Sequence, residues 1–232
     1  MSTSWFQTLD TCKLFDEASG FRFLIVCLRS VTGAGAGAYY GFTQEMSFAR
    51  LALSTATIER LPAPASRDLP PRAVATAALQ DCIQNIFVYC PVLSDTAVFG
   101  ALEVAFEHGG HFSSPHDIWN LNMCLAIGFL TRSRAKDDAA YQKAVHHAAI
   151  ALEQRETVVL PGALNRLQAI ILLVLYSLLN PTHFDTWCLM GLAVRVMVDM
   201  GLHAESFQET HTKRANAELR HRLFNCIYIL DR

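Results

Sequence analysis

From Arg72 onward, apolar positions return every three or four residues, the period of helices that bury one side against their neighbours. RAVATAALQDCIQNIFVYC predicts a first helix, stopped by Pro91. SDTAVFGALEVAFEHGG opens with cap-type residues and closes on Gly109-Gly110, a C-terminal stop. In SSPHDIWNLNMCLAIGFLTRS, Ser114 is the predicted N-cap, Pro115 the first helical residue and Asp117 a first-turn acid. DDAAYQKAVHHAAIALEQR follows, with its acids at the start where the helix dipole favours them. After Pro161-Gly162 comes LQAIILLVLYSLL, apolar on every side. It stops at Asn180-Pro181, well short of the ~20 residues a bilayer needs, and so predicts a buried core helix. Thr182 and Asp185 resemble a capping box for the next segment, and Gly201 can end it in the left-handed conformation. Leu219, Leu223, Ile227 and Leu230 recur at helical spacing in the last. The chain is therefore predicted to be all-α, a bundle of about seven helices over residues 72–232.

Residues 1–71 read differently, as a poorly defined N-terminal extension. FRFLIVCLRSV is β-branched enough for a strand, TGAGAGAYYG is a glycine-alanine run, and ERLPAPASRDLPPR is a Pro-rich linker. FRFLIVCLRS follows Asp16 and Glu17 and contains Arg29, which argues against an export signal.

Composition narrows the function. Hydrophobic residues make up 52% and charged residues 17%, net charge is −2, and the basic residues are scattered. A surface that tracks phosphates would show a basic stripe, so no direct DNA binding by this chain is expected, and no membrane role. The seven cysteines form no C-x-x-C pair, which argues against structural zinc or a thioredoxin motif and for a reducing intracellular compartment.

Catalytic patterns are sparse. Gly33, Gly35 and Ala38 match G-x-G-x-x-A after a strand-like run, with Glu59 where a ribose-binding acid could sit. That alternative, a nucleotide-binding enzyme, lacks the strands a dinucleotide fold alternates with its helices. His108, His111 and His116 cluster around a glycine stop and read as surface histidines. His146 and His147 are adjacent on a helix and point too far apart to chelate together. Ser133-x-x-Lys136 lacks the partner motifs of a serine acyl-enzyme. The expectation is no enzyme, no catalytic residue, no metal ligand and no cofactor.

Arg195 and Asp199 are one turn apart in GLAVRVMVDMGLHAE, flanked by Leu192, Val198 and Leu202. A helix so apolar should be packed on most sides, which predicts a buried pair. Asp199 also lies near the helix C-terminus, the unfavourable end for an anion, so Arg220 or Arg222 is expected as a second cation.

The stretch from LQAIILLVLYSLL through GLAVRVMVDMGLHAE to AELRHRLFNCIYILDR resembles the regulatory middle region of fungal-specific transcription factors. The likeness covers about residues 69–232. It rests on Trp187, Gly191, Gly201, His203, the Glu218-Leu219-Arg220-x-Arg222 run, Tyr228 and Asp231-Arg232. It implies an all-helical regulatory domain in the nucleus, acting through intramolecular contacts, proteins of the transcription machinery or a DNA-binding partner, and answering a small-molecule inducer. A scaffold or adaptor that does not bind DNA is the alternative within the same reading. Under the resemblance, Glu218, Arg220, Arg222, Asp231 and Arg232 join Arg195 and Asp199 in a structural ion-pair network. The family's six-cysteine zinc cluster, and with it zinc, is expected only in a DNA-binding module this chain does not contain. The family also continues past the Asp-Arg position, so the chain reads as a fragment, a truncated gene model or a shortened regulator.

Overall fold

A computed structural model of the chain describes residues 48–64, 66–107, 114–159, 163–203 and 211–232. They form α1 (Phe48–Ala56), α2 (Arg72–Cys82), α3 (Asp95–Glu107), α4 (Pro115–Arg132), α5 (Ala139–Glu153), the single turn α6 (Arg155–Val158), α7 (Leu164–Leu179), α8 (Thr186–Asp199) and α9 (His211–Asp231). No strand occurs among the described residues. The strand-like FRFLIVCLRSV, the glycine-alanine loop with Gly33, Gly35 and Ala38, and the Gly109-Gly110 stop lie outside them.

α4 is the hub, packing against α2, α3, α5, α6 and α7. Its residues from Leu121 to Leu130 are all buried, so neighbours surround it instead of flanking one stripe. Ser114 caps it by accepting from the His116 N–H at 3.2 Å, and Pro115 takes the first turn, where no partner for an N–H is needed. α2 crosses α4 so closely that a Cβ on Gly128 would stand 1.9 Å from the Ala78 carbonyl oxygen. Trp119, wholly buried, ties α4 to α7 by donating its indole N–H to the Ala169 carbonyl at 3.2 Å. α7 is buried along nearly its full length, as its all-round apolar sequence requires.

Two features go beyond the sequence reading. The first predicted helix does not run unbroken to Pro91: α2 passes into a π-helical turn at Ile83–Phe87, then a turn at Val88 and Tyr89. The helical core also reaches upstream of residue 72. Ala52, Leu53 and Ala56 of α1 are buried, and α1 rests on α6 and α8. Thr57 bridges to Phe184, Ile58 N–H donates to the His183 carbonyl at 2.9 Å, and Asp185 N–H donates to Ala56 at 2.7 Å. The turn that launches α8 is thus held by backbone from the far end of the chain.

Candidate functional site

The residues singled out by the sequence gather on the α7–α8–α9 side of the bundle, where α7, α8 and α9 pack on one another. Asp185 starts α8: its carboxylate accepts from the backbone N–H groups of Trp187 at 2.9 Å and Cys188 at 3.3 Å. The N-cap is therefore Asp185 itself. Thr182 lies in the preceding turn, so the capping box spanning the two residues does not form.

α8 buries Cys188, Leu189, Met190, Leu192, Ala193, Val196 and Met197. Trp187, 66% exposed, and Val198, 42% exposed, stand on the other side, with Gly191, Val194 and Arg195 half-buried between them. Arg195 and Asp199 do pair, Nε to Oδ1 at 3.1 Å, but their side chains are 30% and 37% exposed. The expectation of a buried pair is overturned. α8 is apolar all round because it leaves apolar groups in water, not because every face is packed. The predicted second cation goes elsewhere too: Arg220 donates from Nη2 to the Gly201 carbonyl at 2.9 Å. Arg222 keeps its Nε buried without a hydrogen-bond partner. Glu218 and Asp231 are exposed on α9 and join no ion pair among the described residues. The seven charged residues do not form one network.

Gly201 ends α8 as the sequence predicts, with φ of +63°. Gly201 N–H donates to the Val198 carbonyl at 2.9 Å and Leu202 N–H to Met197 at 3.1 Å, the paired bonds of a Schellman stop. Arg220 completes the end by binding a free carbonyl and bringing a positive charge to the negative pole of α8. Arg220 thus ties α9 to the end of α8. His203 is exposed in the turn that follows.

On α9, Leu223, Cys226 and Ile227 face the core. Phe224, half-buried against the core, and the exposed Tyr228 stack with ring centroids 6.2 Å apart, and the Arg232 guanidinium lies 4.8 Å from the Tyr228 ring centre. In the sequence, Phe224 stands one helical turn before Tyr228. Its spacing of four from Tyr228, and that of Tyr228 from Arg232, was the signal that the three form one ladder. The ladder on α9, and Trp187 and Val198 on α8, offer rings, aliphatic groups and a cation, the chemistry of protein contact.

Polar groups elsewhere serve packing. His147 is buried on α5, where its Nδ1 meets the Asn122 Oδ1 at 2.9 Å. The Asn122 amide nitrogen donates to the Ile118 carbonyl, so its oxygen is the acceptor and His147 carries the proton on Nδ1. Burial holds the His147 imidazole at about 4, with help from His146 and Lys143. Asn180 accepts from the Tyr141 hydroxyl and donates to Tyr176, whose phenol is pushed up by burial. His116 is not in a surface loop as expected. It occupies the first turn of α4, half-buried, and burial and then Arg166 lower its pKa. His108 and His111 lie outside the described residues. Ser133 closes α4 and donates its hydroxyl to the Ala135 carbonyl.

Among the described residues no three His, Cys, Asp or Glu side chains come together as a metal set. The five described cysteines form no disulfide, are buried and spread over separate elements, and do not fit a zinc cluster. A cleft of about 50 Å³ opens between α3 and α4, lined by Leu93, Val98, Asp117, Asn120 and others. No helix among the described residues is long and apolar enough to cross a membrane.

Residues 84–232 match the family described as fungal specific transcription factor domain. The chain is similar to Pyrimidine pathway regulatory protein 1 of Saccharomyces cerevisiae, 39% identical over 71 residues, or 29% of this chain and 8% of that protein. It is similar to the Positive regulator of purine utilization of Emericella nidulans, 48% identical over 44 residues, 19% of this chain and 4% of the relative. Protein STB5 of Saccharomyces cerevisiae is 25% identical over 146 residues, 60% of this chain and 19% of the relative. The chain thus spans less than a fifth of the length of these relatives. No solved structure matches it significantly.

Proposed function

The chain belongs to the fungal specific transcription factor domain family, and from that membership we propose that it controls transcription in the nucleus by protein contacts at the outer side of α8 and α9. One observation carries this reading: Trp187 stands two-thirds exposed on a helix whose opposite side is core. Val198 is exposed on that side of α8, and Tyr228 and Arg232 of the ladder are exposed on α9. Solvent-facing tryptophan, tyrosine and arginine are the residue types that dominate binding energy at protein interfaces. The cleft between α3 and α4 is well below the ~300 Å³ typical of small-molecule sites, which favours protein contact over an inducer there.

DNA contact belongs to a separate module or partner. Net charge is −2, and Arg67, Arg72, Arg132 and Arg195 are each paired with a carboxylate. A net negative chain whose basic residues are scattered offers no basic stripe for phosphates. Any zinc of the family would serve that module, not these buried thiols.

The test joins this chain to an unrelated DNA-binding module upstream of a reporter. Replacing Trp187 and Val198 together by serine should change reporter output at least severalfold while the melting temperature holds. Unchanged output overturns the assigned face. The isolated chain should bind duplex DNA no better than a neutral control protein, and salt-sensitive nanomolar binding would refute delegation to another module.

A further inference from the structure

We propose that α1 is a releasable strap: from within the chain it fills a groove between α6 and α8 that takes an amphipathic helix, and a partner's helix with the same apolar spacing enters when α1 lets go. The proposal goes beyond the transcriptional reading and does not depend on it, since it rests on how α1 is held.

α1 packs chiefly on α6 and α8. Over residues 52–56 it buries Ala52, Leu53 and Ala56, and two of those side chains are single methyl groups. Its nine residues are fewer than the ~12 an isolated helix needs, so α1 is helical only while the groove holds it. Seating an apolar helix in a groove between other helices is a recurring mode of peptide recognition. α6 and α8 lie within residues 84–232, the family match, and α1 lies upstream of it. The groove therefore belongs to the domain, and its occupant does not.

The fastening at the C-terminal end of α1 is narrow. Thr57 makes an isolated bridge to Phe184, and the one carbonyl of His183 accepts from both Ile58 at 2.9 Å and Glu59 at 3.3 Å. Asp185 adds its N–H to the Ala56 carbonyl at 2.7 Å. Ile58 and Glu59 are exposed, so the seam lies where water can compete for its bonds. The His183 imidazole is buried beside Glu59, and neither ring nitrogen completes a hydrogen bond. Opening the seam hydrates that ring, which favours release. α4 and α7, by contrast, are buried along nearly their whole lengths.

A released α1 stays close. The Pro-rich segment that follows it runs into α2 and is pinned on the way by Arg67, paired with Glu153 of α5 at 3.0 Å. So short a tether keeps α1 at high local concentration over its groove, and a free helix competes poorly until the strap is weakened.

Two measurements on the full chain test the strap. In hydrogen exchange, the amides of α1 and of residues 57–59 should exchange about a hundredfold faster than those of α4 and α7, through local opening. Equal protection would make α1 an integral part of the core and overturn the proposal. The second measurement titrates a fluorescent peptide of residues 46–60, MSFARLALSTATIER, with the natural chain and with a Leu53→Asp chain. The peptide should bind the variant about tenfold more tightly than the natural chain, and a peptide carrying Leu53→Asp should bind neither. Binding to neither chain, equal binding to both, or equal binding of the two peptides would refute a helix-taking groove. A Leu53→Asp chain that loses its far-UV circular dichroism refutes it as well, because a strap is dispensable to the bundle beneath it.

Discussion

His147 lies on α5, 3% exposed, stacked on Phe129 with ring centroids 5.7 Å apart and bonded to Asn122 at 2.9 Å. An ordinary histidine takes up its proton near 6.5, whereas burial holds this one at about 4. Between those values the unfolded chain binds a proton that the folded one refuses. The contribution of His147 is therefore intact above about 6.5, erodes as pH falls, and is fully lost below about 4. Moving from pH 7 to pH 5 should cost about 2 kcal/mol through this residue alone. The assay is urea unfolding at the two pH values, for the natural chain and for His147→Leu. The leucine variant leaves the Asn122 oxygen unpaired, but that cost is the same at both pH values and cancels in the difference. His116 and His183, also lowered by burial, are present in both chains and cancel as well. The natural chain should lose about 2 kcal/mol more than the variant on acidification. Equal losses would refute the neutral, buried imidazole.

Gly128→Ala would set a methyl group against the backbone of α2, 1.9 Å from the Ala78 carbonyl oxygen, so the helices must separate. A loss of about 3 kcal/mol is expected in urea unfolding; a loss below about 0.5 kcal/mol would contradict the close crossing. Arg195→Ala breaks a partly exposed pair and should cost less than about 0.5 kcal/mol, measured the same way. A loss of several kcal/mol would reinstate the buried pair that the sequence suggested.

Most helices were legible because their signals are local. Ser114-Pro115 and Gly201 act within one turn of themselves, and the apolar run of α7 states its own burial. α1 was not legible, because a short apolar stretch before a Pro-rich segment acquires a partner only when α6 and α8 arrive from elsewhere in the chain. In the candidate site, the sequence marked Trp187, Arg220 and Tyr228 but misjudged what their elements do. Arg195 illustrates the limit. Its spacing from Asp199 guaranteed a pair, yet whether α8 turns that pair inward or outward depends on which sides α1, α7 and α9 cover.

The amino-acid order by itself determined an all-helical chain, the principal helices after residue 72 and the Schellman stop at Gly201. It also determined the family, through the run from Trp187 to Arg232. The tertiary structure decided which apolar groups remain in water, where Arg220 docks and how tightly α2 meets α4. Those facts join residues far apart in the chain, and no local preference encodes a contact whose other half lies on another helix.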